Sequence, residues 1–126
     1  MTPVLYILMR TDLDSMNPGK AMAQASHASN QFVANTNKED PMYLKWLDGR
    51  TFGTVLVLDV DLEELEVAID DAINADFHAE VIHDPTYPIK DGEVTHYIAL
   101  DTCGFVFGDK DDLALKSFLE DLELHS

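Results

Sequence analysis

Val4-Leu-Tyr-Ile-Leu-Met9 is an unbroken apolar run that ends at Arg10 and Asp12. It is too short to cross a membrane and too short for the apolar core of an export signal, so neither a targeting segment nor a membrane anchor is expected. It has the length of a strand. A strand without polar alternation is one whose two faces are both covered. Such a central strand needs a layer of structure on each side, and the rest of the chain has to supply it.

The signals for those layers follow in order. Asn17-Pro18 puts a capping side chain before a proline at the first helical position, and predicts a helix from Pro18 to about Ala34. Asp40-Pro41 repeats the signal for a short helix to Leu47, stopped near Gly49. Thr54 to Val60 is rich in β-formers and reads as a strand. Asp61-Leu-Glu-Glu64 opens another helix with acids at its positive end, and Leu62, Leu65, Ala68, Ile69 and Ala72 keep helical spacing. His78 to Ile82 predicts a short strand, His83 to Gly92 a loop with two prolines, and Val94 to Leu100 a further strand. Phe105-Val-Phe107 is either a short strand or a packed loop, and Asp109 to Leu124 predicts a closing amphipathic helix.

The order β-α-α-β-α-β-β-α implies an α/β fold: one domain over residues 1–126, with a mixed sheet of about four strands and helices on both faces. The last two strands are joined by too short a loop for a crossover helix, so they are expected to run antiparallel. A hydrophobic content of 46% excludes a disordered chain. Cys103 is the single cysteine, which excludes an internal disulfide and fits a reducing, cytoplasmic setting. It reads as a buried structural thiol rather than a nucleophile.

The net charge of −16 is unevenly placed. Residues 1–58 balance five acids against Arg10, Lys20, Lys38, Lys45 and Arg50, whereas residues 59–126 set nineteen acids against Lys90, Lys110 and Lys116. The acidic half reads as a solvated surface, and the neutral half leaves room for a local face that accepts an anion.

Two places carry residues capable of chemistry. Lys20, Gln24, His27 and Gln31 fall on one face of the first helix, and Ala21, Ala25, Ala28 and Phe32 on the opposite one. Lys20 lies in the first turn, where free backbone N–H groups already favour an anion. Gln31 reads as ordinary exposed polarity. The Gly19-Lys20 pair is not a nucleotide-binding loop, because Ala21 follows it and Asp14 stands where the earlier glycine would be. Asp84 follows a strand, where α/β sheets place their ligands, and is either a general base or a turn aspartate before proline. Thr95 offers a hydroxyl or serves simply as a strand residue. His83 and His96 read as structural, and none of the histidine spacings suits a metal. No nucleophile elbow is present. On spacing alone, the result is an α/β domain with a Lys20/Asp84 cleft for an unspecified substrate.

Tyr6-Ile-Leu-Met-Arg10-Thr-Asp-Leu13 followed by Pro18-Gly-Lys20-Ala-Met-Ala-Gln24-Ala-Ser-His27-Ala28 resembles the opening of type II peptidyl-tRNA hydrolases. That family opens with a strand ending in Arg-x-Asp-Leu, a short loop, and a helix reading Gly-Lys-x-Ala-Ala-Gln-x-x-His-Ala. Met22 replaces the first alanine of the Ala-Ala pair. Further on, the family's Asp-Ala-Gly-x-Thr-Gln-x-x-x-Gly-x-x-Thr is answered by Asp84-Pro-Thr86-Tyr-Pro-Ile-Lys-Asp-Gly92-Glu-Val-Thr95. The aspartate, the later glycine and the last threonine match, with one residue deleted. The Ala-Gly and Thr-Gln pairs are lost, and Thr86 stands two places from the family's threonine. The family's Ala-Ile-Gly-Pro is replaced by Ala99-Leu-Asp-Thr-Cys-Gly104.

The resemblance implies hydrolysis of the ester between a peptide and tRNA, without metal or cofactor. It implies catalytic roles for Lys20, Asp84 and Thr95, with Asp84 held by Lys20. Arg10, Gln24, His27 and Thr86 would support them or contact the substrate, and Arg10, Lys20, Lys38, Lys45 and Arg50 would hold the tRNA. Dimers are common in the family, and Phe105, Val106 and Phe107 are the residues expected to be exposed for one. The altered Asp84 loop and the acidic charge point to an alternative, a catalytically inactive binding module with a protein partner.

Overall fold

The structure, a computed structural model, describes residues 1–125. Its elements are β1 (Pro3–Arg10), α1 (Pro18–Asn35), α2 (Pro41–Leu47), β2 (Val55–Val60), α3 (Leu62–Asn74), β3 (His78–Asp91), β4 (Val94–Asp109) and α4 (Leu113–Leu119). They form the expected α/β arrangement, a four-stranded mixed sheet in the order β2-β1-β4-β3. β1 runs parallel to β2 and antiparallel to β4, and β3 and β4 form an antiparallel pair.

All eight residues of β1 are buried. Because side chains alternate across a strand, Val4, Tyr6 and Leu8 enter one core and Leu5, Ile7 and Met9 the other. The first core is closed by α3 and α4 through Leu65, Ala68, Ile69, Ala72, Leu115 and Leu119. The second is closed by α1 and α2. There the Phe32 ring meets the Tyr43, Trp46, Phe105 and Phe107 rings at centroid distances of 6.1, 5.3, 5.4 and 4.6 Å.

The helix starts are chemical. Asn17 accepts a hydrogen bond from the Lys20 N–H at 2.9 Å, and Asp40 accepts one from the Met42 N–H at 2.9 Å. Asp61 and Glu64 form a reciprocal capping box on α3. α2 ends as Asp48 and Gly49 enter left-handed backbone, with φ of 49° and 76°.

Three expectations are corrected. The expected loop His83–Gly92 is strand, since β3 continues to Asp91 and turns at Gly92. β3 is the sheet's edge, where a proline's missing N–H costs no ladder bond, and Pro85 also falls in a bulge between Asp84 and Tyr87. Phe105-Val-Phe107 is neither separate nor exposed. It is the C-terminal part of β4, paired with β1 and β3, and its residues are buried, so they offer no dimer surface. The closing helix spans only Leu113–Leu119: the Asp112 carboxylate caps it by accepting from the Ala114 and Leu115 N–H groups. Glu123 and His125 instead bond the backbone of β2, through Asp59 N–H to Glu123 C=O and His125 N–H to Val57 C=O, both 2.8 Å.

Phe32 is fully buried at the centre of the aromatic cluster. Phe32→Ala is expected to lower unfolding free energy by about 3–5 kcal/mol in chemical denaturation. A loss under about 1 kcal/mol would mean that the ring is not the keystone of that core.

Candidate active site

α1 lies close to the sheet because Ala21 and Ala28 fill the contact with it. That approach turns Gln24 inward, against β3 and β4. Gln24 is only 4% exposed, yet both ends of its amide are used. Its Nε2 donates to Asp84 Oδ2 at 2.7 Å, and its Oε1 accepts from the Thr102 hydroxyl at 2.6 Å.

Asp84 stands at the bulge of β3. Its Oδ1 accepts from the Thr86 N–H at 2.9 Å and from the Thr86 hydroxyl at 3.4 Å. Burial alone would push the Asp84 carboxyl up. The hydrogen bonds from Thr86 and Gln24, with the nearby His27, outweigh it and hold the carboxyl below the usual aspartate range. Asp84 is therefore an ionised acceptor at neutral pH. The three bonds leave lone-pair capacity for a water.

One turn earlier on α1, Lys20 Nζ donates to the Pro88 carbonyl at 2.8 Å and lies 5.1 Å from the centroid of the Tyr87 ring. Tyr87 is fully buried although the surrounding arm of β3 and β4 is mostly exposed. Its hydroxyl accepts from Ser15 at 3.1 Å and donates to the Met16 sulfur at 3.9 Å. These ties fasten the β3–β4 arm to the loop before α1. Between them opens a cleft of about 480 Å³, lined by Ser15, Asn17, Lys20, Pro88, Lys90 and Thr95.

Residues 3–101 match the model of the family described as peptidyl-tRNA hydrolase PTH2. The chain belongs to that family. The match runs from β1 into β4 and takes in Lys20, Gln24, Asp84 and Thr95. Among solved structures, the chain is similar to a protein of unknown function from Agrobacterium tumefaciens, with a TM-score of 0.59 at 11% identity, covering 100% of this chain and 99% of that one. That likeness is one of fold. No curated protein sequence matches the chain.

Set against the peptidyl-tRNA hydrolase expectations, the site is partly rearranged. Lys20 and Thr95 share the cleft, and Lys90, opposite Thr95 across the hairpin, adds a second ammonium that the sequence reading did not place there. Asp84 is not among the cleft's lining residues and forms no ion pair with Lys20; Gln24 and Thr86 hold it instead. Thr86, though displaced in sequence, thus reaches the aspartate through its backbone. His27 is exposed beside this group.

Arg10 does not face the cleft freely. Its guanidinium grips both Asp12 oxygens at 2.9 and 3.0 Å and the Asp101 carbonyl at 3.0 Å, so it braces the loop after β1 against β4. Lys38 is folded onto the Val33 and Thr36 carbonyls at the end of α1. Gln31 is half-buried and donates to Glu80 at 2.8 Å, so it is not plain exposed polarity. Cys103 is fully buried, and burial pushes its thiol up to about 12, which leaves no thiolate for nucleophilic chemistry. Thr102 was missed because nothing in its local spacing distinguishes it from other strand threonines.

Both Asp84 and Asp12 are held below the usual carboxylate range, Asp12 chiefly by its hydrogen bond from Arg10. A depressed folded-state value contributes stability above the unfolded value, near 3.8, that is lost as pH falls through the folded one. Stability should therefore drop with acid below that point, and Asp84→Asn or Asp12→Asn should each flatten part of the drop. Denaturation midpoints measured from neutral to acid pH check this. An unchanged acid limb in both variants counts against the wiring described.

Proposed function

We propose that this protein hydrolyses the ester joining a peptide, or an N-blocked amino acid, to tRNA, and so recycles the tRNA. The observation that carries the reading is the placement of Lys20 on α1 and of Asp84 on β3 against the next turn of α1, in a chain that belongs to the peptidyl-tRNA hydrolase family. Gln24 follows Lys20 by one turn and holds Asp84, so one face of α1 addresses both the cationic cleft and the carboxylate.

In this mechanism Asp84, ionised and oriented, accepts a hydrogen bond from a water and draws its proton as the water oxygen attacks the ester carbonyl carbon. The carbonyl oxygen gains negative charge. Lys20 meets that charge or an adjacent phosphate, since its bond to the Pro88 carbonyl leaves two of its three N–H donors unused. The carbon–oxygen bond to the ribose then breaks, and the proton passes to the departing ribose oxygen. Products are a peptide carboxylate and tRNA with a free hydroxyl. The Thr95 hydroxyl, on the far wall of the cleft that Lys20 lines, contacts the substrate away from the ester, since Thr95 lies five residues along β4 from Leu100, the partner of Asp84. Its lowered value makes Asp84 a weak base, so orienting the water is the larger part of its role.

The charge distribution sets the mode of binding. Lys20 and Lys90 both line the cleft of a chain whose net charge is −16. Binding through two phosphates should weaken with salt at a log–log slope of roughly −1.5 to −2, shallow for a nucleic-acid enzyme.

One observation favours the alternative of a binding module: Lys20 lies against the Pro88 carbonyl, not against Asp84. Release of free tRNA from an N-blocked aminoacyl-tRNA decides between them. The wild type should turn over, and Asp84→Asn and Lys20→Ala should each lose about 10²–10³-fold in kcat/KM, the scale of losing one preorganised electrostatic contact. A folded wild type without turnover would end the hydrolase reading and direct attention to protein partners of the Lys20, Gln24 and His27 face.

A further inference from the structure

We infer that Thr102 is a positioning residue, acting on Asp84 through the Gln24 amide. This inference rests on the role proposed for Asp84. Gln24 has one acceptor end and one donor end, and only one orientation of its amide serves a carboxylate. With Nε2 toward Asp84 the pair is a hydrogen bond of 2.7 Å; with the amide reversed, two oxygens would face each other. The ionised carboxylate, which can only accept, sets this orientation, and the Thr102 hydroxyl holds it from the far end. It donates to Oε1 at 2.6 Å, so this end of the amide is held as acceptor and the other end is presented as donor.

Three features make this more than ordinary packing. Thr102 is fully buried, so no bulk water competes for its hydroxyl or for the far end of Gln24. Polar networks closed off in this way are strengthened by the low local dielectric. The remaining neighbours also have fixed roles. Cys103 donates through its sulfur to the Gln24 backbone carbonyl at 3.6 Å, which pins the helix turn. Arg10 holds the Asp101 carbonyl, one residue before Thr102. Thr102 to Gln24 to Asp84 is thus a chain of donors running from β4 through α1 to β3. Thr102, Gln24 and Asp84 come from three elements, separated by 78 and 60 residues.

The charged groups that face Asp84 are limited. His27 acts on it across the surface, and Thr86 bonds its other oxygen. Neither depends on Thr102; the Thr102 hydroxyl also lies 3.8 Å from the buried Cys103 thiol, and a Gln24→Leu background separates that contact from the one through Gln24.

The test uses Thr102→Val, which keeps shape and removes the hydroxyl, with Thr102→Ser as the rescue. Thr102→Ala stands in should the valine fail to give a native-like NMR spectrum. The readout is the Asp84 side-chain carboxyl followed by NMR across a pH titration, alongside kcat and KM for release of tRNA. The expected result is an upward move of the Asp84 titration and a loss of about tenfold in kcat with KM little changed, both reversed by serine. In a Gln24→Leu background, Thr102→Val should produce no further shift, because the two act in series. An Asp84 titration that Thr102→Val leaves in place, or shifts equally in the Gln24→Leu background, overturns the inference. A wild type without turnover but with the titration shift would sink the hydrolase reading while leaving the Thr102–Gln24–Asp84 wiring standing.

Discussion

β1 has no wet face, and the rest of the structure is arranged around that constraint. A strand buried on both sides contributes apolar area to two cores at once, and it can be covered only if helices pack above and below the sheet. α3 and α4 cover one face, α1 and α2 the other. β1 lies between β2 and β4, and its C-terminal end, the loop that follows and the start of α1 all lie at one end of the sheet. The β3–β4 arm projects from the same end. The cleft is the place where these two meet.

Holding that meeting place falls to a small set of polar ties in an otherwise acidic protein. Arg10 couples the loop after β1 to β4, Ser15 and Lys20 couple the start of α1 to the arm, and Gln24 couples the middle of α1 to both strands of the hairpin. These ties are part-buried, and the one between Gln24 and Thr102 is fully buried, so a few bonds fix the arm despite its exposure. Tyr87 supplies the apolar anchor, the one large side chain of the arm that is fully buried. The arm can project without dissolving into a loop because its root is held from three directions.

Much of this was legible along the chain. The start of α1, α2 and its residue bounds, β2 and the acidic start of α3 were readable because caps, prolines and apolar periodicity act over a few residues. Lys20 and Gln24 stood out for the same reason, as a helical stripe. The hairpin was not readable. Two prolines and a bulge look like a loop until it is known that β3 is an edge strand, and edge position is a property of the whole sheet. The length of the last helix was missed because Asp112 captures the first free N–H groups, a competition among several nearby acids that spacing does not resolve.

The sequence alone thus specified β1, α1, α2, β2 and α3, the doubly buried strand and the family, since each depends on local chemistry or on residue identity at short spacing. It also determined which side chains were available for a site. The tertiary structure alone decided their partners. Lys20 meets a carbonyl and Thr95's cleft, whereas Asp84 meets Gln24 and Thr86. Gln24 in turn meets a threonine 78 residues away. The reason is physical: hydrogen bonds are made over about 3 Å between groups that only packing brings together, and no spacing along the chain encodes that distance.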